Sequence, residues 1–186
     1  MTVIGIVGLP GSGKSEAAAV ARDLGVPVVT MGDVIRAACR DRGLPVTEEN
    51  MGTVATDLRE DDGDAAVAAR SLPLIRDALD DADVVVVDGI RGQAEVDVFE
   101  DAFGDRFELV SVEAPFGTRL DRIRDRGRDA TAEGADDLRA RDEREKGYGM
   151  DEAMANADAV IENTGTLEAF REAVRARIEA ARAEAP

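Results

Sequence analysis

The stretch that decides the fold is GLPGSGKS, residues Gly8 to Ser15, which directly follows the apolar run TVIGIV at Thr2–Val7. We name residues 8–15 the glycine loop, and they match the pattern G-x-x-x-x-G-K-[ST]. Glycines in this pattern let backbone N–H groups turn inward around phosphates, and the helix that follows directs its N-terminus at the same charge. The sequence therefore predicts a nucleotide-phosphate site, formed by Gly8, Pro10, Gly11, Ser12, Gly13, Lys14 and Ser15.

Two members of the loop have more specific expected roles. Of the 23 basic residues in the chain, only Lys14 and Lys146 are lysines. A lysine is a compact charge that fits inside such a loop, whereas a guanidinium fork is too broad. We therefore expect Lys14 to be catalytic by reaching the β- and γ-phosphates of ATP, and Ser15 to offer its hydroxyl to Mg²⁺.

Short apolar runs alternate with helical patterns along the chain. Continuous apolar strands with helical connections indicate a parallel sheet that is covered on both faces. The sequence therefore predicts a single domain, residues 1–186, with an α/β fold of the P-loop NTPase class and a five-stranded parallel sheet flanked by helices. The predicted strands are Thr2–Val7, Val26–Thr30, Val84–Asp88, Phe107–Glu113 and Ala159–Glu162.

Two segments depart from this alternation. Residues 31–83 form three helical patterns, more than the one helix that a crossover between parallel strands requires. We interpret them as an inserted helical acceptor-binding region. Residues 127–147 carry many charges and few large apolar side chains, which fits either a solvated surface loop or a mobile lid. The predicted helices are Lys14–Leu24, Asp33–Arg42, Glu48–Glu60, Ala65–Leu79 and Leu167–Ala183.

The composition narrows the classes of partner. The formal net charge of −17 argues against nucleic acids and anionic membranes, because both are bound by cationic surfaces. An acidic, lysine-poor chain is typical of a cytoplasmic protein from a halophile, and an acidic mesophilic protein leaves the scarcity of lysine unexplained. With no histidine and a single cysteine, Cys39, zinc sites are excluded and an oxygen-bound metal such as Mg²⁺ is expected. No apolar run approaches the ~20 residues of a membrane helix, and the first strand leaves no room for a signal peptide.

Charged residues follow the predicted second and third strands, where the carboxyl ends of parallel strands face a ligand crevice. Asp88 ends VVVVD and either holds Mg²⁺ through water or caps a turn. Arg36 in TMGDVIR and Arg91 in DGIR suit bidentate capture of an acceptor phosphate, although Arg36 also fits a solvated helix position. Asp33 either orients or deprotonates an acceptor hydroxyl, or it is the N-cap of the next helix.

An arginine-rich helix and a late loop complete the candidate site. Within residues 116–128, the side chains of Arg119, Arg122 and Arg126 fall on one helical face. Because like charges there repel one another, Arg122 and Arg126 are expected to gather γ-phosphate charge in the transition state, unless acidic neighbours pair with them. After the fifth strand, Asn163 and Gly165 lie in a loop that either borders the adenine ring or is an ordinary turn of the type N-T-G.

In this order the motifs resemble the nucleoside monophosphate kinase and dephospho-CoA kinase group of P-loop proteins. TMGDVIR is similar to the adenylate-kinase segment whose arginine binds the acceptor phosphate, and DGIR resembles D-G-x-P-R without its proline. ADAVIENTGTLEAF resembles the C-terminal motif of dephospho-CoA kinases. The nearest overall likeness is to a poorly characterised archaeal family of dephospho-CoA-kinase-like proteins. This resemblance implies ATP, Mg²⁺ and a lid that closes over both substrates.

The sequence thus supports an ATP-dependent kinase for a small nucleotide-like acceptor. Asp33 as a base suits a hydroxyl of dephospho-CoA, whereas Arg36 with Arg91 suits the phosphate of a nucleoside monophosphate, and both acceptors stay open. The alternative is an ATP-binding or ATP-hydrolysing regulatory protein without a small-molecule acceptor. The guanine-specific motif N-K-x-D is absent, which argues against a GTPase switch, and the acidic charge disfavours an RNA-end kinase.

Overall fold

The computed structural model describes residues 1–126 and 134–184. Five strands form one sheet in the order β2-β3-β1-β4-β5, and every pairing is parallel. The predicted fold class is therefore confirmed, and four strands have the predicted bounds, while the second begins at Val28 instead of Val26. The strands are β1 (Thr2–Val7), β2 (Val28–Thr30), β3 (Val84–Asp88), β4 (Phe107–Glu113) and β5 (Ala159–Glu162).

Helices cover both faces of the sheet. Three of them lie between β2 and β3, as predicted, and their role in binding an acceptor stays a prediction. None of the described helices is long and apolar enough to cross a membrane. The helices are α1 (Lys14–Asp23), α2 (Met31–Asp41), α3 (Glu48–Asp62), α4 (Ala66–Asp80), α5 (Gln93–Phe103), α6 (Phe116–Arg126), α7 (Ala135–Gly147), α8 (Met150–Ala155) and α9 (Leu167–Glu184), with a 3₁₀ turn at Gly104–Arg106.

Strand β3 is apolar on both sides because the sheet is buried on both sides. Val85 and Val87 pack into a core shared with α2, α3, α4, α5 and α8. Val84 and Val86 point to the opposite core, which α1 and α9 close. All four valines are at most 2% exposed, so the run of four apolar residues follows from two covered faces.

The register of the sheet brings three strand ends together. Asp88, the last residue of β3, is level with Ile6 of β1 and with Thr30 of β2. The glycine loop, the start of α2 and the segment after Asp88 therefore leave the sheet at one edge. This carboxyl edge is where ligands of open parallel sheets bind.

The segment 127–147 is the main correction to the predicted elements. A surface loop is wrong for residues 135–147, which form the helix α7, whereas residues 127–133 lie outside the described residues. Leu138 of α7 is fully buried and Asp142 is 7% exposed, so the helix packs against the rest of the protein. Helices α5 and α8 also lie where the sequence analysis assigned no element.

Candidate active site

The glycine loop needs glycine at several positions for steric reasons. Gly8, Gly11 and Gly13 all have positive φ values, of +147°, +79° and +123°. A Cβ atom at Gly8 would collide with the carbonyl oxygen of Val112, and one at Gly13 would collide with the side-chain amide of Asn163. Residues with side chains are disfavoured on both grounds, so the loop's course depends on these glycines.

The loop fits an anionic ligand such as a nucleotide phosphate. Helix α1 begins at Lys14, and no side chain caps its N-terminus at Gly13. The N–H groups of its first turn are therefore directed at the space inside the loop, as in other phosphate sites. In addition, the hydroxyl oxygen of Ser12 is buried and has no hydrogen-bond partner among the described residues.

Lys14 is held inside the loop. Its Nζ donates hydrogen bonds to the carbonyl oxygen of Gly8 and, at 3.2 Å, to that of Leu9. Burial lowers the pKa of Lys14 from its ordinary value of 10.5 to about 8, although the carboxylates of Glu145 and Asp88 oppose the shift. The ammonium group therefore remains charged at neutral pH but lies close to its titration range.

The two predicted metal ligands lie on neighbouring elements. Ser15 is exposed in the first turn of α1, and Asp88 is half-buried at the end of β3. No group of three or more Asp, Glu, Cys or His side chains that could hold a metal occurs within residues 1–126 and 134–184. A Mg²⁺ ion here would accordingly be held by Ser15, by Asp88 and by phosphate oxygens, which suits a cation that binds few protein groups.

Arg122 and Asn163 clamp the glycine loop from outside. Asn163 is 5% exposed, and its Nδ2 donates to the carbonyl oxygen of Ser12 at 2.8 Å. Arg122 donates to the same carbonyl at 3.3 Å, and to both the backbone and the side-chain oxygen of Asn163 at 2.9 Å. Gly165 lies two residues on and is exposed. The predicted Arg122 and Asn163 are thus brought to the loop, while the side chain of Arg126 lies outside the described residues.

For Arg119 the structure shows the alternative interpretation, in which an arginine of α6 pairs with an acidic neighbour. Arg119 is 4% exposed and forms a bidentate ion pair with Asp142 of α7, at 2.8 and 2.7 Å. It also donates to the carbonyl oxygens of Pro10 and Ala114, at 3.0 and 3.2 Å. This buried guanidinium therefore connects α7 to the glycine loop.

Arg91 lies in a cleft beside the loop. Its side chain is 50% exposed and donates to Oε1 of Glu145 at 2.8 Å. Its backbone N–H donates at 2.7 Å to Oε2 of Glu95, a buried carboxyl whose pKa is raised by burial. The side chain of Glu95 is also 3.7 Å from the guanidinium of Arg59. Arg91 is therefore held through its backbone by Glu95 and through its side chain by Glu145.

Two cavities that share lining residues lie along this cleft, and the smaller one borders the glycine loop. The smaller one, of about 170 Å³, is lined by Pro10 and Lys14 as well as by Arg91, Arg141 and Glu145. The larger one, of about 520 Å³, shares those last three residues. It is lined by Glu48, Arg91, Arg141, Arg144, Glu145 and Tyr148. A ligand in the larger cavity would therefore lie next to a ligand held by the glycine loop.

Asp33 and Arg36 occupy a different position from Arg91. They form an ion pair of 2.5 Å on α2, with side chains that are 61% and 38% exposed. Neither is among the residues described as lining the two cavities. The N-cap interpretation of Asp33 is wrong, because α2 begins at Met31 with Thr30 in the N-cap position. Asp33 lies instead in the first turn of the helix.

The sequence analysis named residues 127–147 as a surface loop or a lid, but it did not identify the side chains in and directly after α7 that line the cleft. Four of the lining side chains follow one another at helical spacing, because positions three and four apart share a helix face. These four are Arg141, Arg144, Glu145 and Tyr148. This spacing is visible in the sequence, but a helix face that carries no apolar residues does not indicate that it packs against the rest of the protein. Only a search for charged residues at helical spacing would therefore have found these positions.

Sequence comparisons place the chain in a family. A family described as "AAA domain", a P-loop domain, matches residues 4–147. A UPF0200 protein of Halobacterium salinarum is 55% identical over 175 residues, which cover 94% of this chain and 91% of that protein. A UPF0200 protein of Methanosarcina mazei is 47% identical over 175 residues, which cover 94% of this chain and 92% of that protein.

Solved structures share the fold at low sequence identity. TT1252 of Thermus thermophilus superposes with a TM-score of 0.63 at 23% identity, over 96% of this chain and 97% of that one. Shikimate kinase of Aquifex aeolicus has a TM-score of 0.51 at 17% identity, over 96% of each chain. A gluconokinase of Sinorhizobium meliloti has a TM-score of 0.52 at 16% identity, over 95% of this chain and 93% of that one.

The fold is thus a P-loop fold of the kind found in small-molecule kinases, and a P-loop domain implies nucleotide binding. Both the family match and the relatives span most of the chain. This chain therefore belongs to the AAA-domain family of P-loop proteins and, among them, to the archaeal UPF0200 proteins.

Proposed function

We propose that the protein transfers the γ-phosphoryl group of ATP to a small nucleotide-like acceptor, with Mg²⁺ as cofactor. The observation that carries this proposal is that the two cavities are adjacent: the cavity beside Lys14 shares lining residues with the larger cavity, which three arginines line. The chain as a whole has a formal net charge of −17, yet these three arginines lie near the glycine loop. Such a cleft suits an anionic second substrate, because guanidinium groups bind phosphate bidentately.

On the donor side, the glycine loop binds and orients the phosphates. Lys14 supplies charge to the β- and γ-phosphates, and Arg122 and Asn163 hold the loop in its course. Arg126 is proposed to assist at the γ-phosphate, and Asn163 with Gly165 to border the adenine. When bound by Ser15 and Asp88, Mg²⁺ would neutralise charge that develops on the donor phosphates.

On the acceptor side, Arg91 is proposed to bind the anionic group of the acceptor in the larger cavity. Arg36 and Asp33 remain proposed acceptor residues, and Asp33 in its first-turn position has an exposed carboxylate that an acceptor hydroxyl could reach. Dephospho-CoA and nucleoside monophosphates both present an anion with an adjacent ring system. The kinases of similar fold are named for small-molecule acceptors, which supports an acceptor of this size.

A second candidate is an ATP-binding or ATP-hydrolysing regulatory protein without a small-molecule acceptor. The ion pair between Arg91 and Glu145 favours it, because the protein's own carboxylate already engages the acceptor arginine. The two candidates differ in one measurable respect. Only the kinase requires an acceptor for rapid ATP turnover.

The test is ATP consumption with Mg²⁺ in molar KCl, with dephospho-CoA, AMP, CMP, dCMP, UMP and GMP offered singly. Strong stimulation by one acceptor supports the kinase, and Lys14→Ala should abolish that turnover. Arg36→Ala and Arg91→Ala should mainly raise the acceptor KM, whereas Arg40→Ala, an exposed change on the same helix as Arg36, should not. Turnover that no acceptor stimulates, with nucleotide binding intact, would support the regulatory protein instead.

A further inference from the structure

The carboxylate of Glu145 stands among the positive charges of the cleft. Its side chain is 19% exposed and accepts a hydrogen bond of 2.8 Å from Arg91. It also lines the smaller cavity together with Lys14, Arg91 and Arg141. The smaller cavity, which we name the passage, is therefore lined by one carboxylate and three cationic side chains.

Packing on both sides of Glu145 fixes this placement. Asp142, one turn earlier on α7, is anchored by its buried ion pair with Arg119. Tyr148, one turn later, lies with its ring 5.4 Å from the guanidinium of Arg59. A Cβ atom at Gly92 would collide with the carbonyl oxygen of Tyr148, so the backbone approaches closely there as well. The carboxylate of Glu145 is thus held in the passage by the fold.

Carboxylate and phosphate oxygens compete for the same donors. A guanidinium binds either group through its N–H fork, and an N–H that is engaged by one is not available to the other. Glu145 and Lys14 line the same small cavity, and the carboxylate of Glu145 opposes the lowering of the pKa of Lys14. Any anion that enters the passage therefore meets a negative charge already in position.

We propose that Glu145 is a built-in competitor for the anion site of the cleft, and that a phosphate-bearing ligand binds by displacing its carboxylate from Arg91. The proposal rests on the proposed function, since it describes how the second substrate would gain Arg91. Part of the binding free energy is then used to break one ion pair. The apparent affinity equals the intrinsic affinity multiplied by the fraction of free protein in which Arg91 is already released. Weakly bound anions are excluded, and a ligand that contacts Arg144 as well as Arg91 is favoured.

The test is the affinity for inorganic phosphate, measured calorimetrically at constant KCl with the glycine loop saturated by ADP. Glu145→Gln removes the competing charge and should tighten phosphate binding about three- to tenfold, as expected for release of a half-exposed ion pair. Arg144→Gln should weaken it by a similar factor. Glu143→Gln is the matched control, because it changes the net charge equally, two residues away, at a side chain that is 73% exposed and paired with Lys146.

Unchanged or weaker phosphate binding in Glu145→Gln would overturn the proposal, and so would an equal gain in Glu143→Gln. Thermal unfolding of each variant checks the fold, and Glu145→Ala provides a second variant without the charge if the glutamine destabilises α7, because alanine is the better helix former. Because phosphate binding is measured without turnover, its result is separate from that of the kinase. Failure of the proposed function would appear as ATP turnover that no acceptor stimulates, whatever the phosphate affinity.

Discussion

The guanidinium of Arg119 donates two hydrogen bonds to the carboxylate of Asp142, at 2.8 and 2.7 Å, and one to the carbonyl oxygen of Pro10 at 3.0 Å. The two side chains are only 5% and 9% exposed. One buried ion pair thus connects α7, α6 and the glycine loop. The position of α7 and the course of the glycine loop therefore depend on the same contact.

Asp142→Ala should therefore destabilise the protein strongly. The change leaves the guanidinium of Arg119 buried without its counter-charge, which costs about 3–5 kcal/mol in comparable cases. Urea unfolding at constant KCl measures the loss. The control is Asp136→Ala, which removes a carboxylate of α7 that is 99% exposed and paired with Arg139, and should change stability by less than about 0.5 kcal/mol. Similar losses in both variants would contradict the importance of burial.

Lys14→Met should stabilise the protein at neutral pH while abolishing nucleotide binding. The folded pKa of Lys14, about 8, lies below its ordinary value of 10.5, so burial of the charged form opposes folding below about pH 8. Between these two values the unfolded chain retains the proton that the folded protein has released, and the stability of the wild type therefore rises with pH. The advantage of the methionine, about 1–3 kcal/mol, should be largest below pH 8 and shrink towards pH 10.

Thermal unfolding between pH 6.5 and about 10 checks this prediction. The matched control is Lys146→Met, since Lys146 is the other lysine of the chain and is exposed, paired with Glu143. It should leave the thermal stability close to that of the wild type at every pH. A methionine at position 14 that destabilises the protein, or a gap that grows with pH, would show that the burial of Lys14 is not the dominant effect.

Nucleotide affinity should fall as the pH rises past about 8. Phosphate oxygens favour the charged lysine, so binding raises the pKa of Lys14 and takes up a proton when the free protein has lost it. Well above that pKa, affinity should decrease by at most about tenfold per pH unit. Titration calorimetry at pH 9 in two buffers of different ionisation enthalpy measures the proton uptake directly. Identical binding heats in the two buffers would contradict the role of Lys14.

Asn163→Ala should weaken nucleotide binding about tenfold, because the carbonyl oxygen of Ser12 keeps only its longer hydrogen bond from Arg122, and Arg122 loses one of its acceptors. The same change should lower the free energy of unfolding by about 1–3 kcal/mol. Asn156→Ala provides the control, since Asn156 is exposed and its amide donates only to Gln93 among the described residues. Wild-type affinity in the Asn163 variant would show that the loop keeps its course without this amide.

The strands and the glycine loop could be predicted because their signals are local. Residues 84–87 of β3 are continuously apolar, since both faces of the strand are covered, and the loop pattern contains the glycines that its positive φ values require. The helices between β2 and β3 likewise have ordinary helical patterns. Fold class and donor site therefore follow from short stretches of sequence that can each be read separately.

The acceptor cleft depends on long-range pairing, which short patterns do not contain. Helix α7 buries Leu138 as its one large apolar side chain, and its second anchor is Asp142, whose partner Arg119 lies 23 positions earlier. An acidic residue within a charged segment gives no sign that it will be buried. The pairing of Arg91 with Glu145 is likewise long-range, whereas Arg36 pairs locally with Asp33, three residues before it on α2.

The contact between Asn163 and Ser12 joins residues that are 151 positions apart, and this separation has a consequence for synthesis. The glycine loop is synthesised early, but Asn163, whose amide holds it, is translated roughly 8–30 seconds later at ordinary elongation rates. A nascent chain therefore carries the loop's sequence well before it has the loop's final support. Nucleotide binding that depends on this contact would be acquired only after β5 has joined the sheet, so it would mark the molecules in which the sheet is complete.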